Sequence, residues 1–242
     1  PIIVAVLRKK QYPEDAIKRK FAKFEEKFSK EDDVIMIHGV SVGEMNALEH
    51  LVKKVRAEFP NKKLVITTGT HTGQDIAKKK FGEIADLVTY FPFDCPTIVK
   101  KFLNKINPNT VLIAETEIWP IFAMNCKKRG INLFIINGRI SDSTFSTYKM
   151  FKFVFKYFMK LYTGVFSQSE EDNNKFLTLG ANPETTKRMN NLKFDVKKPE
   201  LTFELNKGNY KVLLAGSTHS GEDEIVLNNY KKLKIAIKND AF

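Results

Sequence analysis

The chain has 242 residues, of which 43% are hydrophobic and 28% charged, and this composition excludes an intrinsically disordered protein. Its 40 lysines and arginines outnumber 28 acids to give a formal charge of +12, which favours phosphate-bearing partners such as nucleic acid, anionic lipid or nucleotide. The two cysteines are far apart and the four histidines do not cluster with them, so the sequence predicts no metal site.

The chain opens with PIIVAVLRKK, a short apolar run closed by three basic residues. A core strand explains this run, and so does the cytoplasmic end of a membrane anchor whose start is missing. No apolar run in the sequence is long enough to span a bilayer. Residues 14–30 then predict an amphipathic helix, because apolar residues from Ile17 to Phe28 recur every three or four positions.

From residue 34 onward, short apolar runs alternate with helical patterns. The predicted strands are VIMIHGV (34–40), KLVITT (63–68), LVTYFP (87–92), TVLIAETE (110–117) and INLFIIN (131–137). The predicted helices between them cover about 43–58, 72–81, 97–106 and 119–129. This alternation predicts an α/β fold with a parallel sheet covered on both faces. Ligands of such sheets bind beyond the carboxyl ends of the strands.

Two of the loops after these strands carry residues suited to chemistry. Ser41 and Glu44 form the S-x-x-E pattern of a capping box, which is the favoured local reading of Glu44. Its position at a strand end also makes Glu44 a candidate general base, kept ionised by the helix dipole. The loop TTGTHTG (67–73) predicts either backbone binding of an anion or a simple threonine cap, with His71 as an exposed loop residue.

Two further loops have similar alternatives. In ETEIWP (115–120), Glu115 and Glu117 share one face if the strand continues through them, so they form an acid/base pair or the acids of a helix N-terminus. In GSTHSGED (216–223), the polar residues resemble an anion cradle, although helix capping by Thr218 and Ser220 explains them too.

An aromatic and basic segment, YKMFKFVFKYFMKLY (148–162), places four lysines three or four residues apart on one helix face. Such a helix suits an anionic membrane surface. A core helix with one solvated stripe is the alternative.

The domain organisation follows from a loss of periodicity between 195 and 209. We predict a membrane-proximal segment with a basic helix (1–33), a Rossmann-like acceptor domain (34–195), a linker (196–209) and the truncated start of a second α/β domain (210–242). That start contains one predicted strand, a glycine-containing loop and a predicted helix, with KIAI (234–237) as a candidate second strand.

In their order along the chain, these stretches resemble the Kdo transferase family, whose enzymes attach 3-deoxy-D-manno-octulosonic acid to lipid A precursors during lipopolysaccharide assembly. The matching stretches are HGVSVGE (38–44), TTGTHTG (67–73), PFD (92–94), ETEIWP (115–120), NGRIS (137–141), NLKFD (191–195) and GSTHSGE (216–222). One departure is Asn190, where family members often have glycine.

The resemblance implies a GT-B fold of two Rossmann-like domains that binds a lipid A precursor in the first and CMP-Kdo in the second. It implies transfer with inversion, without a metal or other cofactor. The residues it assigns are Glu44 as general base with Glu115 as a second active-site acid, Ser217, Thr218, His219 and Lys193 at the donor, and Ser41, Gly43, Thr70 and Arg139 at the acceptor.

The resemblance also changes the reading of the opening run, which then fits the tail of an amino-terminal anchor. It implies a protein at the cytoplasmic face of the bacterial inner membrane, bound peripherally or by a single anchor missing from this chain. Since the later donor-site stretches are absent, we expect the chain to be inactive alone.

Two other functions stay open. One is another GT-B glycosyltransferase or a sugar-nucleotide epimerase, and the other is a non-catalytic basic module that binds anionic lipid or nucleic acid. Because the sequence shows no nucleic-acid-binding signature, we expect no nucleic-acid partner.

Overall fold

The structure is a computed structural model that describes residues 12–195, 208 and 213–239, the last seven of these by their backbone alone. The chain divides into two compact units, Pro1–Lys197 and Lys198–Phe242. The opening apolar run and all of the predicted linker except Gly208 lie outside the described residues.

The first unit is built on one parallel sheet with the strand order β3-β2-β1-β4-β5-β6-β7 among its described residues. The strands are β1 (Val34–Gly39), β2 (Lys63–Thr68), β3 (Leu87–Tyr90), β4 (Thr110–Ala114), β5 (Asn132–Gly138), β6 (Gly164–Ser167) and β7 (Thr186–Arg188). The order 3-2-1-4-5-6 is that of a Rossmann fold, so the predicted α/β class with a Rossmann-like domain is confirmed.

Helices connect the strands. They are α1 (Glu14–Lys20), α2 (Val42–Ala47), α3 (Glu49–Glu58), α4 (His71–Phe81), α5 (Pro96–Ile106), α6 (Pro120–Lys128), α7 (Asp142–Met150), α8 (Lys152–Met159) and α9 (Glu170–Thr178), with a 3-10 turn at Leu192–Asp195.

The sheet has a hydrophobic core on each face. Successive side chains of a strand point to opposite faces, so alternate residues pack in the two cores. In β1, Met36 packs in one core with Phe102 of α5. Its neighbours Ile35 and Ile37 pack in the other core with Met45 of α2. Because β1 is buried on both faces, its sequence is continuously apolar rather than alternating.

Three predicted elements differ from the structure. The helix expected over 14–30 ends at Lys20, because Ala22 takes a left-handed backbone with φ 56°, and the following residues are irregular. The fourth strand ends at Ala114 instead of 117, because Glu115 is left-handed with φ 58°. The aromatic segment forms two helices that break at Phe151, so its lysines do not lie along one continuous helix.

The second unit also differs. Residues 213–216 of its predicted strand are irregular, and the stretch KIAI lies inside α10 (Glu222–Asn239) instead of forming a strand. Among the described residues, no helix combines the length and apolar character that crossing a bilayer requires.

Candidate active site

The candidate site lies where the strand order of the sheet reverses, between β1 and β4. In open α/β sheets, a crevice forms beyond the carboxyl ends of the strands at this point. Here the loop after β1 carries Ser41 and Glu44, and the loop after β4 carries Glu115 and Glu117. Chain topology therefore brings two motifs that are distant in sequence to one edge of the sheet.

Glu44 forms the predicted capping box at the start of α2. Its Oε1 accepts hydrogen bonds from the Ser41 amide at 3.2 Å and the Ser41 hydroxyl at 2.8 Å, while its Oε2 accepts one from the Val40 amide at 2.8 Å. A carboxylate offers about four acceptor positions. Capping therefore occupies three of them and leaves one on Oε2 for a substrate hydroxyl, so the two roles of Glu44 are compatible.

The second predicted acid, Glu115, begins the turn that ends β4. Its amide still donates to the Ile136 carbonyl at 2.9 Å, but its left-handed backbone turns the chain away from the sheet. A non-glycine residue in this conformation is uncommon and is held by its surroundings. The condition under which Glu115 and Glu117 would share a strand face is therefore not met.

Charged side chains surround Glu115. Burial raises the pKa of its carboxyl, the negative charge of Glu44 raises it further, and the positive charges of Lys193 and Arg139 oppose the rise. Four of the predicted site residues, from four separate loops, are thus within electrostatic range of one another.

Glu117 has the most perturbed carboxyl of the site. Burial, together with the charges of Glu44 and Glu115, raises its pKa to about 7. Its own charge adds to the burial that raises the pKa of Tyr148, so the site extends to α7. The ETEIWP motif offered Glu117 as one acid of a pair, but the family resemblance assigned only Glu44 and Glu115 as site acids.

Arg139 is exposed beyond the end of β5 and is tied to the loop after β4. Its amide donates to the Thr116 hydroxyl at 3.2 Å, and that hydroxyl donates to the Arg139 carbonyl. Two hydrogen bonds therefore fix the spacing of the two loops.

Lys193 lies in the 3-10 turn, which a buried asparagine anchors to the sheet. The Asn137 side chain accepts from the Leu192 amide at 3.0 Å, and Leu192 packs in the core. Asn190 before this turn has φ 68°, a conformation that glycine and asparagine tolerate best. The departure from the family's usual glycine is therefore explained by backbone conformation.

Thr70 lies beside the Glu44 loop and caps α4. Its hydroxyl accepts from the Gly73 amide at 3.1 Å and donates to the Val40 carbonyl at 2.9 Å. A Cβ on Gly73 would lie 2.8 Å from the Thr70 hydroxyl oxygen and 2.8 Å from the Val40 carbonyl oxygen. The threonine cap that the sequence allowed is therefore present.

His71 is the first residue of α4 and contacts the Tyr90 hydroxyl at 3.1 Å. It is partly buried, so the expectation of an exposed loop residue was wrong.

The acid of the PFD motif has a structural role. Asp94 accepts from the Ile121 and Phe122 amides at 3.0 and 2.7 Å and so caps α6 from a neighbouring loop. Trp119, at the N-cap position of α6, makes no side-chain cap. Asp94 therefore holds the ETEIWP loop against the loop after β3.

Gly43, the remaining predicted acceptor residue, is exposed in the first turn of α2. A Cβ there would meet only the Ser41 hydroxyl, at an ordinary 3.8 Å. The fold does not require glycine at this position.

In the second unit, the predicted donor residues precede α10. Ser217 is left-handed with φ 59°, and Ser217, Thr218 and His219 are all exposed. The His219 amide donates to the Glu222 side chain at 2.8 Å, which connects the predicted donor residues to the first residue of α10. Their role at a donor stays a prediction.

The sequence interpretation missed Lys20. It belongs to the predicted amphipathic helix over 14–30 but was not singled out there; it is 7% exposed, and its Nζ donates to the Gly69 carbonyl at 2.7 Å. Its spacing of three from Ile17 and four from Phe24, which place it on the apolar face, was the available signal.

Comparisons with known proteins identify the family of this chain. The sequence profile of a family described as 3-deoxy-D-manno-octulosonic-acid transferase (kdotransferase) matches residues 15–196. A bifunctional glycosyltransferase/methyltransferase of Fusobacterium nucleatum is 37% identical over 214 residues, which are 85% of this chain and 33% of the relative. A 3-deoxy-D-manno-octulosonic acid transferase of Rickettsia bellii is 34% identical over 207 residues, 83% of this chain and 49% of the relative.

The chain thus spans a third to a half of the length of these curated relatives. Among solved structures, a UDP-N-acetylglucosamine 2-epimerase from Rickettsia bellii matches 68% of this chain and 46% of its own at 16% identity, with a TM-score of 0.47. The family profile covers nearly all of the first unit, including every loop that surrounds Glu44. The chain belongs to the Kdo transferase family of glycosyltransferases.

Proposed function

We propose that this chain forms the acceptor half of an inverting transferase that moves Kdo from CMP-Kdo to a lipid A precursor. The observation that carries the proposal is the Glu44 carboxylate, which lies at the switch point with one acceptor position still open on Oε2. A base with a free lone pair at this crevice is what activation of a sugar hydroxyl requires.

In the proposed reaction, Glu44 takes the proton of an acceptor hydroxyl while that oxygen forms a bond to the anomeric carbon of Kdo. The bond from this carbon to the phosphate oxygen breaks, and CMP leaves with the electron pair. A single displacement inverts the anomeric carbon and needs no covalent enzyme intermediate.

Nearby cations suit the charges of these substrates. Lys193 and Arg139 are both exposed, and both act on the Glu115 carboxyl. We assign Arg139 to the acceptor phosphates and Lys193 to the donor, because guanidinium and ammonium groups bind such anions by charge-assisted hydrogen bonds. We assign Glu115 to balancing the positive charge of these two residues, both of which act on its carboxyl.

The donor would be bound by the second unit, through Ser217, Thr218 and His219. Their exposed hydroxyl and imidazole groups can donate to the phosphate and carboxylate of CMP-Kdo. Since the matched part of this chain covers only 33% and 49% of two curated relatives, we expect transfer to require donor-binding segments beyond those in this chain.

The acceptor would arrive from an anionic membrane at α7 and α8. Met150 and Phe153 are 72% and 90% exposed there, with Lys149 and Lys152 beside them. Tyr148 of α7 interacts with Glu117, so this surface reaches the site. Lipid-facing aromatics with flanking lysines suit the cytoplasmic face of the inner membrane, where we place the protein.

Replacing Glu44 by glutamine tests the base assignment in a two-domain form of the enzyme. Glutamine keeps a carbonyl acceptor for the cap but cannot take a proton, so we expect kcat to fall by about 10²- to 10⁴-fold while the fold persists. Glu83→Gln, at an exposed position, is the matched control. Near-normal transfer to a lipid A precursor by Glu44→Gln would refute the assignment.

Vesicle binding tests the membrane surface. The Met150→Ser/Phe153→Ser variant should lose most of its binding to phosphatidylglycerol vesicles, whereas Phe59→Ser, which also removes an exposed aromatic, should retain it. Equal binding by both variants would remove α7 and α8 from the membrane assignment and leave the transferase assignment untouched.

A further inference from the structure

Lys20 is a buried cation that the proposed chemistry does not use. Besides its bond to the Gly69 carbonyl, its Nζ lies 5.5, 5.3 and 5.6 Å from the ring centres of Tyr12, Tyr90 and Phe93. Within residues 12–195, none of the ion pairs includes Lys20. Burial lowers its pKa to about 8.

Burial of an ammonium group without a carboxylate partner is unfavourable, and the three ring faces offset only part of that penalty. A methionine side chain would fill a similar volume without the penalty of burying a charge. The ammonium group is therefore better explained by the hydrogen bond that it donates than by the volume that it fills.

The group that Lys20 holds is a single carbonyl oxygen. The Gly69 carbonyl accepts from Lys20 and, at 3.3 Å, from the Tyr12 hydroxyl. The residues around Gly69 fit closely against the neighbouring loop, because a Cβ at Gly69 would lie 2.7 Å from Cγ1 of Val40. Two donors from the segment before β1 thus fix the peptide that follows β2.

The next residue, Thr70, links this peptide by hydrogen bonds to the loop after β1. The Thr70 amide and hydroxyl both donate to the Val40 carbonyl, at 3.0 and 2.9 Å. The Val40 amide in turn donates to Oε2 of Glu44 at 2.8 Å. This oxygen is the one with an acceptor position left for substrate.

We propose that Lys20 is a positioning residue, which sets the direction of the Glu44 carboxylate through Gly69, Thr70 and Val40. The inference rests on the proposed function, because it takes Glu44 as the base. A charge-assisted bond is shorter and stronger than a neutral one, so Lys20 provides most of this constraint and Tyr12 the smaller part.

Nuclear magnetic resonance of this chain tests the path without turnover. In Lys20→Met, we expect the Val40 amide and the Glu44 side-chain carboxyl resonances to shift, and the Val40 and Thr70 amides to exchange about tenfold faster. Tyr12→Phe should move the same resonances in the same direction by less. Lys23→Met, at an exposed position three residues further on, should move neither.

In the two-domain enzyme, Lys20→Met should lower kcat about tenfold and change KM less than twofold, since it alters the base and not the substrate contacts. Unchanged Val40 and Glu44 resonances in Lys20→Met would overturn the inference, as would equal shifts in Lys23→Met. If Lys20→Met does not fold, absence of any shift in Tyr12→Phe overturns it. Failure of the proposed function would appear separately, as full activity of Glu44→Gln with these shifts still present.

Discussion

The loops SVGE and STHSGE make the same local contact in different surroundings. In each, a glutamate side chain accepts from the backbone amide three residues earlier, at 3.2 Å for Ser41 and Glu44 and at 2.8 Å for His219 and Glu222. The first loop adds a bond from Val40 and lies beside loops from three other strands. The second is exposed throughout.

The comparison shows that the same capping pattern occurs in very different surroundings. What distinguishes Glu44 is a third donor, a neighbouring acid in Glu115 and a position at the switch point. These features come from tertiary contacts, so substitutions in the two loops should differ in effect although their local bonds match.

The largest difference is expected from alanine at the two glutamates. Glu44→Ala leaves the partly buried Val40 and Ser41 amides without their acceptor, which should destabilise the first turn of α2 by about 2–3 kcal/mol. Glu222→Ala removes the acceptor of the His219 amide, which lies at an exposed position where water can replace it, and should change stability by less than about 0.5 kcal/mol. Amide exchange should rise about 30- to 100-fold at Val40 and Ser41 but only about twofold at His219.

A cap from outside the helix should have an intermediate effect. Asp94→Ala removes the two carboxylate oxygens that accept from the Ile121 and Phe122 amides of α6. The free energy of unfolding should therefore fall by about 1–2 kcal/mol. Asp75→Ala, in the first half of α4 and exposed, is the control. Denaturant unfolding followed by the fluorescence of Trp119, the single tryptophan, measures both. Equal stability of the two variants would show that Asp94 does not anchor the ETEIWP loop.

Because of the acids of the site, the stability of the first unit should depend on pH in a way that the exposed loop does not produce. The pKa of Glu117 is raised from an ordinary 4.5 to about 7, so the folded protein keeps a proton that the unfolded chain releases. Its stabilising effect is complete below about pH 4.5 and disappears as the pH rises through about 7.

Glu117→Gln should therefore gain stability over the wild type by about 1 kcal/mol between pH 4.5 and 8, a value reduced for the solvent exposure of this half-buried group. Glu83→Gln should show no such gain. A constant difference between Glu117→Gln and the wild type across this range would show that Glu117 titrates normally.

Sequence patterns predicted what depends on local periodicity. The run KLVITT is a strand over the predicted residues, and five of its six residues are buried, as expected for an interior strand of a parallel sheet. The residues after β1 and β4 were found from sheet topology, since the crevice of a parallel sheet has a known place.

Features that depend on the surroundings of one residue were not predicted. The acid at Glu115 gave no sign of a left-handed backbone, and the strand was extended through it. In the sequence, Lys20 is one lysine among many, because the aromatic rings that bury it belong to distant segments of the chain. Both depend on contacts between residues far apart in sequence, which a local pattern does not contain.

The smallest expected effects come from left-handed residues near the two loops. Asn190 and Ser217 have φ 68° and 59°, a region that asparagine tolerates better than serine and glycine better than both. Asn190→Ala should destabilise the first unit by about 1 kcal/mol and Asn190→Gly by no more than about 0.3 kcal/mol, measured by Trp119 fluorescence. Ser217→Gly should slow exchange of the His219 amide about twofold. If Asn190→Gly instead destabilises as much as Asn190→Ala, its side chain, and not its backbone, is what the turn before Lys193 requires.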